Sequence, residues 1–72
     1  MTEGAALGLT VNGQPRQVPA GTTVAALLAG LQPRPQLCAV EVDGRIVPKS
    51  AHATTELRDG QSVEIVTFVG GG

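Results

Sequence analysis

A chain of 72 residues, 42% hydrophobic and 15% charged, has the makeup of one small globular domain rather than of a disordered segment. Its net charge of −1, five scattered basic residues and single aromatic ring supply neither a stripe to neutralise phosphates nor a platform to stack bases, so nucleic acid is not an expected partner. No apolar stretch approaches the roughly 20 residues of a membrane span. The first six residues lack the positive charge and apolar run of a secretory leader. Cys38 is the only cysteine, which rules out an intrachain disulfide and favours the reducing cytoplasm as the expected location.

In chain order, residues 7–11 (LGLTV) alternate apolar and other positions, which predicts a half-buried strand with Leu7, Leu9 and Val11 on one face. Asn12-Gly13 is a hairpin turn, since both residue types accept positive φ. Residues 16–20 would return as a strand, held to an edge by Pro15 and Pro19, which have no N–H to donate. A threonine at 22 or 23 can cap a helix. Val24, Leu27, Leu28 and Leu31 then form one apolar stripe, and Gly30 marks the expected stop. Residues 32–36, with Pro33 and Pro35, read as a loop.

Residues 37–42 (LCAVEV) read as a strand, Asp43-Gly44 as a turn and residues 45–47 as a short strand closed by Pro48. Residues 49–56 are polar and irregular, with room for one helical turn. After a third turn at Asp59-Gly60, residues 62–69 form the most apolar strand. Val63 and Ile65 share one of its faces; Glu64, Val66 and Phe68 share the other. One helix stripe and one sheet face must bury each other, which predicts a two-layer α+β domain over residues 1–72. Residues 1–6 are an expected extension and residues 70–72 an expected glycine tail.

The tail Gly70-Gly71-Gly72 contributes nothing to a core, because glycine has no side chain and loses the most backbone entropy on ordering. It suits a thin stalk, extending roughly 10 Å over three residues, that presents the Gly72 carboxylate. Val66 and Phe68, near its root, would form an apolar docking patch if they face outward, or cover an edge of the core if they fold over. Strand phase alone leaves both open. Cys38, in an apolar run with no basic neighbours, is expected to be a buried structural thiol. His52, without ligand partners at metal spacing, is expected to be solvated. Asn12, Asp43 and Asp59 each precede a glycine and are assigned to turn geometry, and Lys49 to the ordinary surface.

Four stretches carry a wider likeness: VNG at 11–13, TVAALL at 23–28, VDGRIVPK at 42–49, and LRDG at 57–60 leading through VEIV at 63–66 to the glycines. In this order they resemble the ubiquitin-like β-grasp family and, within it, the ThiS sulfur carriers of thiamine biosynthesis, from Leu7 onward. Gly70 is surplus to the glycine pair that family needs, and the first six residues are unmatched. The resemblance implies a mixed sheet of four to five strands on one helix. It also implies a carrier with no catalytic groups, metal or resident cofactor of its own.

By the same resemblance, a ThiF-type adenylating enzyme using ATP and Mg²⁺ would activate Gly72. A cysteine desulfurase or other persulfide source would convert it to a thiocarboxylate, and a ThiG-type thiazole synthase would take the sulfur. The isolated chain would be a monomer. The small subunit of molybdopterin synthase shares this fold and ending, but commonly has an aromatic-Pro-Pro segment before its glycines where this chain reads IVTFV. Carriers for cysteine synthesis or tRNA thiolation, a ubiquitin-like modifier and a passive binding module are the remaining alternatives.

Overall fold

The computed structural model describes residues 6–68. Strands β1 (Ala6–Val11) and β2 (Gln14–Pro19) form a hairpin, followed by helix α1 (Val24–Leu31). A 3-10 turn at Pro35–Leu37 leads into β3 (Cys38–Val42) and β4 (Arg45–Val47). A second 3-10 turn at Lys49–Ala51 and an irregular stretch precede β5 (Ser62–Thr67). The strands make one mixed sheet in the order β2-β1-β5-β3-β4, with β5 central and parallel to β1. Its other ladders are antiparallel. This is the expected α+β architecture. β2 is an edge strand, as its prolines require.

Alternation in the strands builds the core. Leu9, Val11, Val40, Val63 and Ile65 turn inward to meet Val24, Leu27 and Leu28 of α1, and Leu57 closes the end. Cys38 is fully buried among them, its thiol 3.7 Å from the Arg34 carbonyl oxygen and 3.6 Å from Thr67 Oγ1. It is the structural thiol expected from its apolar setting.

The helix N-terminus is closed by its surroundings. Thr23 is the cap, its Oγ1 accepting from Ala26 N–H at 3.1 Å. Val24 N–H and Ala25 N–H, which no turn of helix can satisfy, donate to the Thr55 and His52 carbonyls at 2.9 Å each. The irregular stretch before β5 is thus bolted to α1. Thr23→Ala is expected to cost about 1 kcal/mol in urea unfolding, and Thr23→Ser to recover most of it. An unchanged midpoint in the alanine variant would remove the cap from this account.

Five local expectations are corrected. Gly30 does not stop the helix: α1 runs through Leu31, half-buried against the core, and Gln32 ends it in extended backbone with Pro33 behind. Residues 35–37 are a 3-10 turn, so Leu37 belongs to the turn and not to β3. The last strand ends at Thr67 rather than at 69, although Phe68 N–H still donates to the Leu37 carbonyl at 2.8 Å. His52 is not solvated. It is 9% exposed, and its Nε2–H donates to the Val47 carbonyl at 3.0 Å, so it stands as an internal post between β4 and α1. Ala6, placed in the expected extension, is the first residue of β1.

Candidate functional site

The chemistry expected of this chain lies at the end of β5. Gly70, Gly71 and Gly72 are outside the described residues, so the site's observable part is the root from which they continue. That root is held from both sides. Toward β3, the ladder pairs Val66 with Ala39 and Thr67 with Cys38, and the Phe68 bond to Leu37 extends it. Toward β1, Asn12 N–H donates to the Val63 carbonyl at 2.8 Å, after which the hairpin turns away.

The Asn12 side chain then takes over from the departing strand. Its Oδ1 accepts from Ile65 N–H at 2.7 Å, and its Nδ2 donates to the Ile65 carbonyl at 3.3 Å. A side-chain amide thus stands in for one more peptide unit of β1. Asn12 sits at φ 50° and Gly13 at φ 82°, the positive pair of a type I′ hairpin. That turn aims the amide at β5.

The other turn residues repeat the device. Asp43, also at positive φ, accepts from Ser62 N–H through Oδ1 at 2.9 Å while its own N–H donates to the Ser62 carbonyl. Asp59 Oδ1 accepts from Gly8 N–H at 2.7 Å. The turn assignment of these three residues was therefore incomplete. Their side chains pin β5 and β1 into register, a role with no local sequence signal because the partner lies up to 53 residues away.

Val66 and Phe68 face outward, 54% and 57% exposed, so they do not fold over an edge of the core. Cys38 and His52 lie in the interior, away from this surface, and Lys49 ties down the Gln36 carbonyl. Among the described residues no group of three or more His, Cys, Asp or Glu side chains is placed to hold a metal ion. No helix of the described residues is long and apolar enough to cross a membrane.

Residues 9–72 match the model of the ThiS family. The chain is similar to a crystal structure of a thiamine biosynthesis protein (ThiS) from Geobacter metallireducens, with a TM-score of 0.78 and 35% identity over 92% of this chain and 100% of that one. An NMR solution structure of a thiamine biosynthesis protein from the same organism gives a TM-score of 0.73, also at 35% identity, covering 92% and 88%. Among curated proteins, the chain is 45% identical over 64 residues to a thiazole synthase of Paramagnetospirillum magneticum, covering 89% of this chain and 20% of that protein. It is 37% identical over 62 residues to a thiazole synthase of Magnetococcus marinus, covering 86% and 19%. The chain spans about a fifth of the length of these curated relatives. The β-grasp arrangement of one helix on a five-stranded mixed sheet and the family match from Leu9 through the last glycine agree, and the chain belongs to the ThiS family.

Proposed function

We propose that this chain carries sulfur for assembly of the thiamine thiazole ring, on the carboxylate of Gly72, in the cytoplasm. The observation that supports this most is the family match, which continues through the glycine tail. An α-carboxyl group, with a pKa of about 3.3–3.7, is ionised at neutral pH and can act as an oxygen nucleophile. It attacks the α-phosphorus of ATP in a ThiF-type enzyme. The bond between the α- and β-phosphates breaks, pyrophosphate leaves, and an acyl-adenylate remains. Sulfide, or a persulfide from a cysteine desulfurase or similar source, then attacks the carbonyl carbon. AMP departs with the bonding pair. Sulfide gives the thiocarboxylate directly, whereas a persulfide first gives an acyl disulfide, whose S–S bond a second thiol cleaves to leave the thiocarboxylate and a disulfide on the donor. A ThiG-type synthase then uses the thiocarboxylate.

Each participant other than the tail belongs to a partner, including ATP and Mg²⁺. The carrier supplies an anchored root at Ile65 and Phe68, a side-chain-free tip at Gly70 to Gly72, and exposed Val66 and Phe68 for docking. A synthase of the ThiG type is favoured as the acceptor because the relatives that contain a stretch like this chain are themselves named thiazole synthase.

Incubation with a ThiF-type enzyme, ATP, Mg²⁺ and a sulfur donor is expected to raise the intact mass by the exchange of one oxygen for one sulfur. Absence of both the adenylate and this exchange at Gly72 would refute the proposal. Attachment of the chain to lysines of other proteins would support a modifier instead.

A further inference from the structure

β5 loses its support in two stages. As far as Ile65 it is held along both edges, by β3 on one side and by β1 and the Asn12 amide on the other. Beyond Ile65 only the β3 side remains among the described residues. Val66 pairs with Ala39, Thr67 with Cys38, and Phe68 N–H reaches the Leu37 carbonyl. Ladder bonds along one edge lie in the plane of the sheet. They set how far the end of β5 stands from β3, but leave it free to swing about that edge, toward the helix layer or away from it.

Thr67 supplies the missing restraint. It shares the phase of Val63 and Ile65, the buried positions of β5, so its hydroxyl leaves the sheet on the helix side. There Oγ1 donates to Gln32 Oε1 at 3.4 Å, across 35 residues of sequence. The acceptor stands on a firm base. Gln32 is the C-cap of α1, its own N–H bonded to the Leu28 carbonyl at 2.9 Å, with Pro33 behind it. Beneath the hydroxyl, the sulfur of the fully buried Cys38 lies 3.6 Å from the same oxygen. A β-branched side chain has few χ1 states, so these two contacts fix how Thr67 stands and, through it, the tilt of the backbone that carries the tail.

We propose that Thr67 is a positioning residue for sulfur loading: latched to Gln32, it sets the angle at which the chain leaves the sheet and so aims the Gly72 carboxylate in the site of the adenylating enzyme. The inference rests on the sulfur-carrier reading above. Thr67 touches no reacting atom and acts only through the direction of the tail. Drawn out in a narrow channel, the five residue steps from Thr67 to Gly72 make a lever of roughly 17 Å. A tilt of about 3–4° at its root moves the tip by about 1 Å, a misplacement that costs about 100-fold.

The test measures kcat and KM of the full chain with a ThiF-type adenylating enzyme, ATP and Mg²⁺, by pyrophosphate release. T67V keeps the shape and β-branching but loses the hydroxyl. The bond to Gln32 lies at the surface, so the variant folds. Docking corrects part of the tilt, and kcat is expected to fall about tenfold with KM for the carrier unchanged, the mark of a residue that acts after binding. T67S restores the hydroxyl and should recover most of the rate. Q32M removes the acceptor and should match T67V, and the double variant should be no slower than either single one, because partners in one contact are not additive. A hydroxyl that served the fold alone would shift the melting temperature and leave kcat as it is. Wild-type kcat in T67V, a T67S variant as slow as T67V, or losses that multiply in the double variant would overturn the proposal. Failure of the wild-type chain itself to be adenylated would instead refute the carrier reading, and this proposal with it.

Discussion

Asn12→Gly is expected to lower the unfolding free energy by about 2–3 kcal/mol, a large share of the roughly 4–10 kcal/mol available to a domain of this size. Glycine keeps the turn, because the φ of 50° at this position suits it. What it removes is the amide that accepts from Ile65 N–H and donates to its carbonyl. Leaving a partly buried donor or acceptor unmatched costs about 1–3 kcal/mol, and the added freedom of the unfolded chain contributes about 0.4–1 kcal/mol more.

Water reaching this partly buried position replaces some of the lost bonding, which keeps the total below the simple sum. Asp43→Gly removes one side-chain bond at an exposed turn and should cost less than about 1.5 kcal/mol. Urea unfolding ranks the two. Amide exchange at Ile65 separates clamp from turn, because loss of the clamp must speed exchange there more than at Val40 in the middle of β3. If the Asn12 variant unfolds at the wild-type midpoint with Ile65 equally protected, the amide is not holding the strand.

That clamp also shows where sequence reasoning stops. The alternation of Leu7, Leu9 and Val11, the three Xaa-Gly turns and the stripe from Val24 to Leu31 were legible because each is a periodic or local pattern. The α+β architecture follows from them. The bonds of Asn12 to Ile65 and of Asp59 to Gly8 were not legible, since they depend on which strands pair and in what register.

The bond from Thr67 to Gln32 stayed hidden for the same reason. His52 looked solvated because its neighbours in sequence are polar. Its burial comes from the return of that stretch onto the helix N-terminus, where its backbone carbonyl takes Ala25 N–H. Gly30 failed as a stop because it lies on the exposed side of α1, where the lack of a side chain costs helix propensity but does not end the apolar stripe. Leu31 still has core to cover, and Pro33 supplies the barrier.

Gly71→Ala is expected to slow single-turnover sulfur loading by about 100-fold, with little change in stability, while Gly70→Ala stays within a few-fold of wild type. The reasoning runs from the root outward. β5 is fixed through Phe68 by the Leu37 bond and through Ile65 by Asn12, so the position at which the chain leaves the sheet is set by the fold. On the proposed route, the Gly72 carboxylate would then have to align with the α-phosphorus inside a site that excludes water, because an acyl-adenylate hydrolyses.

A methyl at Gly71 widens the chain next to the reacting carbonyl and restricts its φ, and a misplacement of about 1 Å in such a site costs about 100-fold. A methyl at Gly70 lies one residue farther from the reaction, at the position surplus to the glycine pair. Pre-steady-state formation of the adenylate, measured separately from affinity for the enzyme, distinguishes misalignment from failed docking. Equal loading rates for the Gly71 and Gly70 variants would mean that the tail is not threaded through a narrow channel, and that alignment of the carboxylate is set elsewhere.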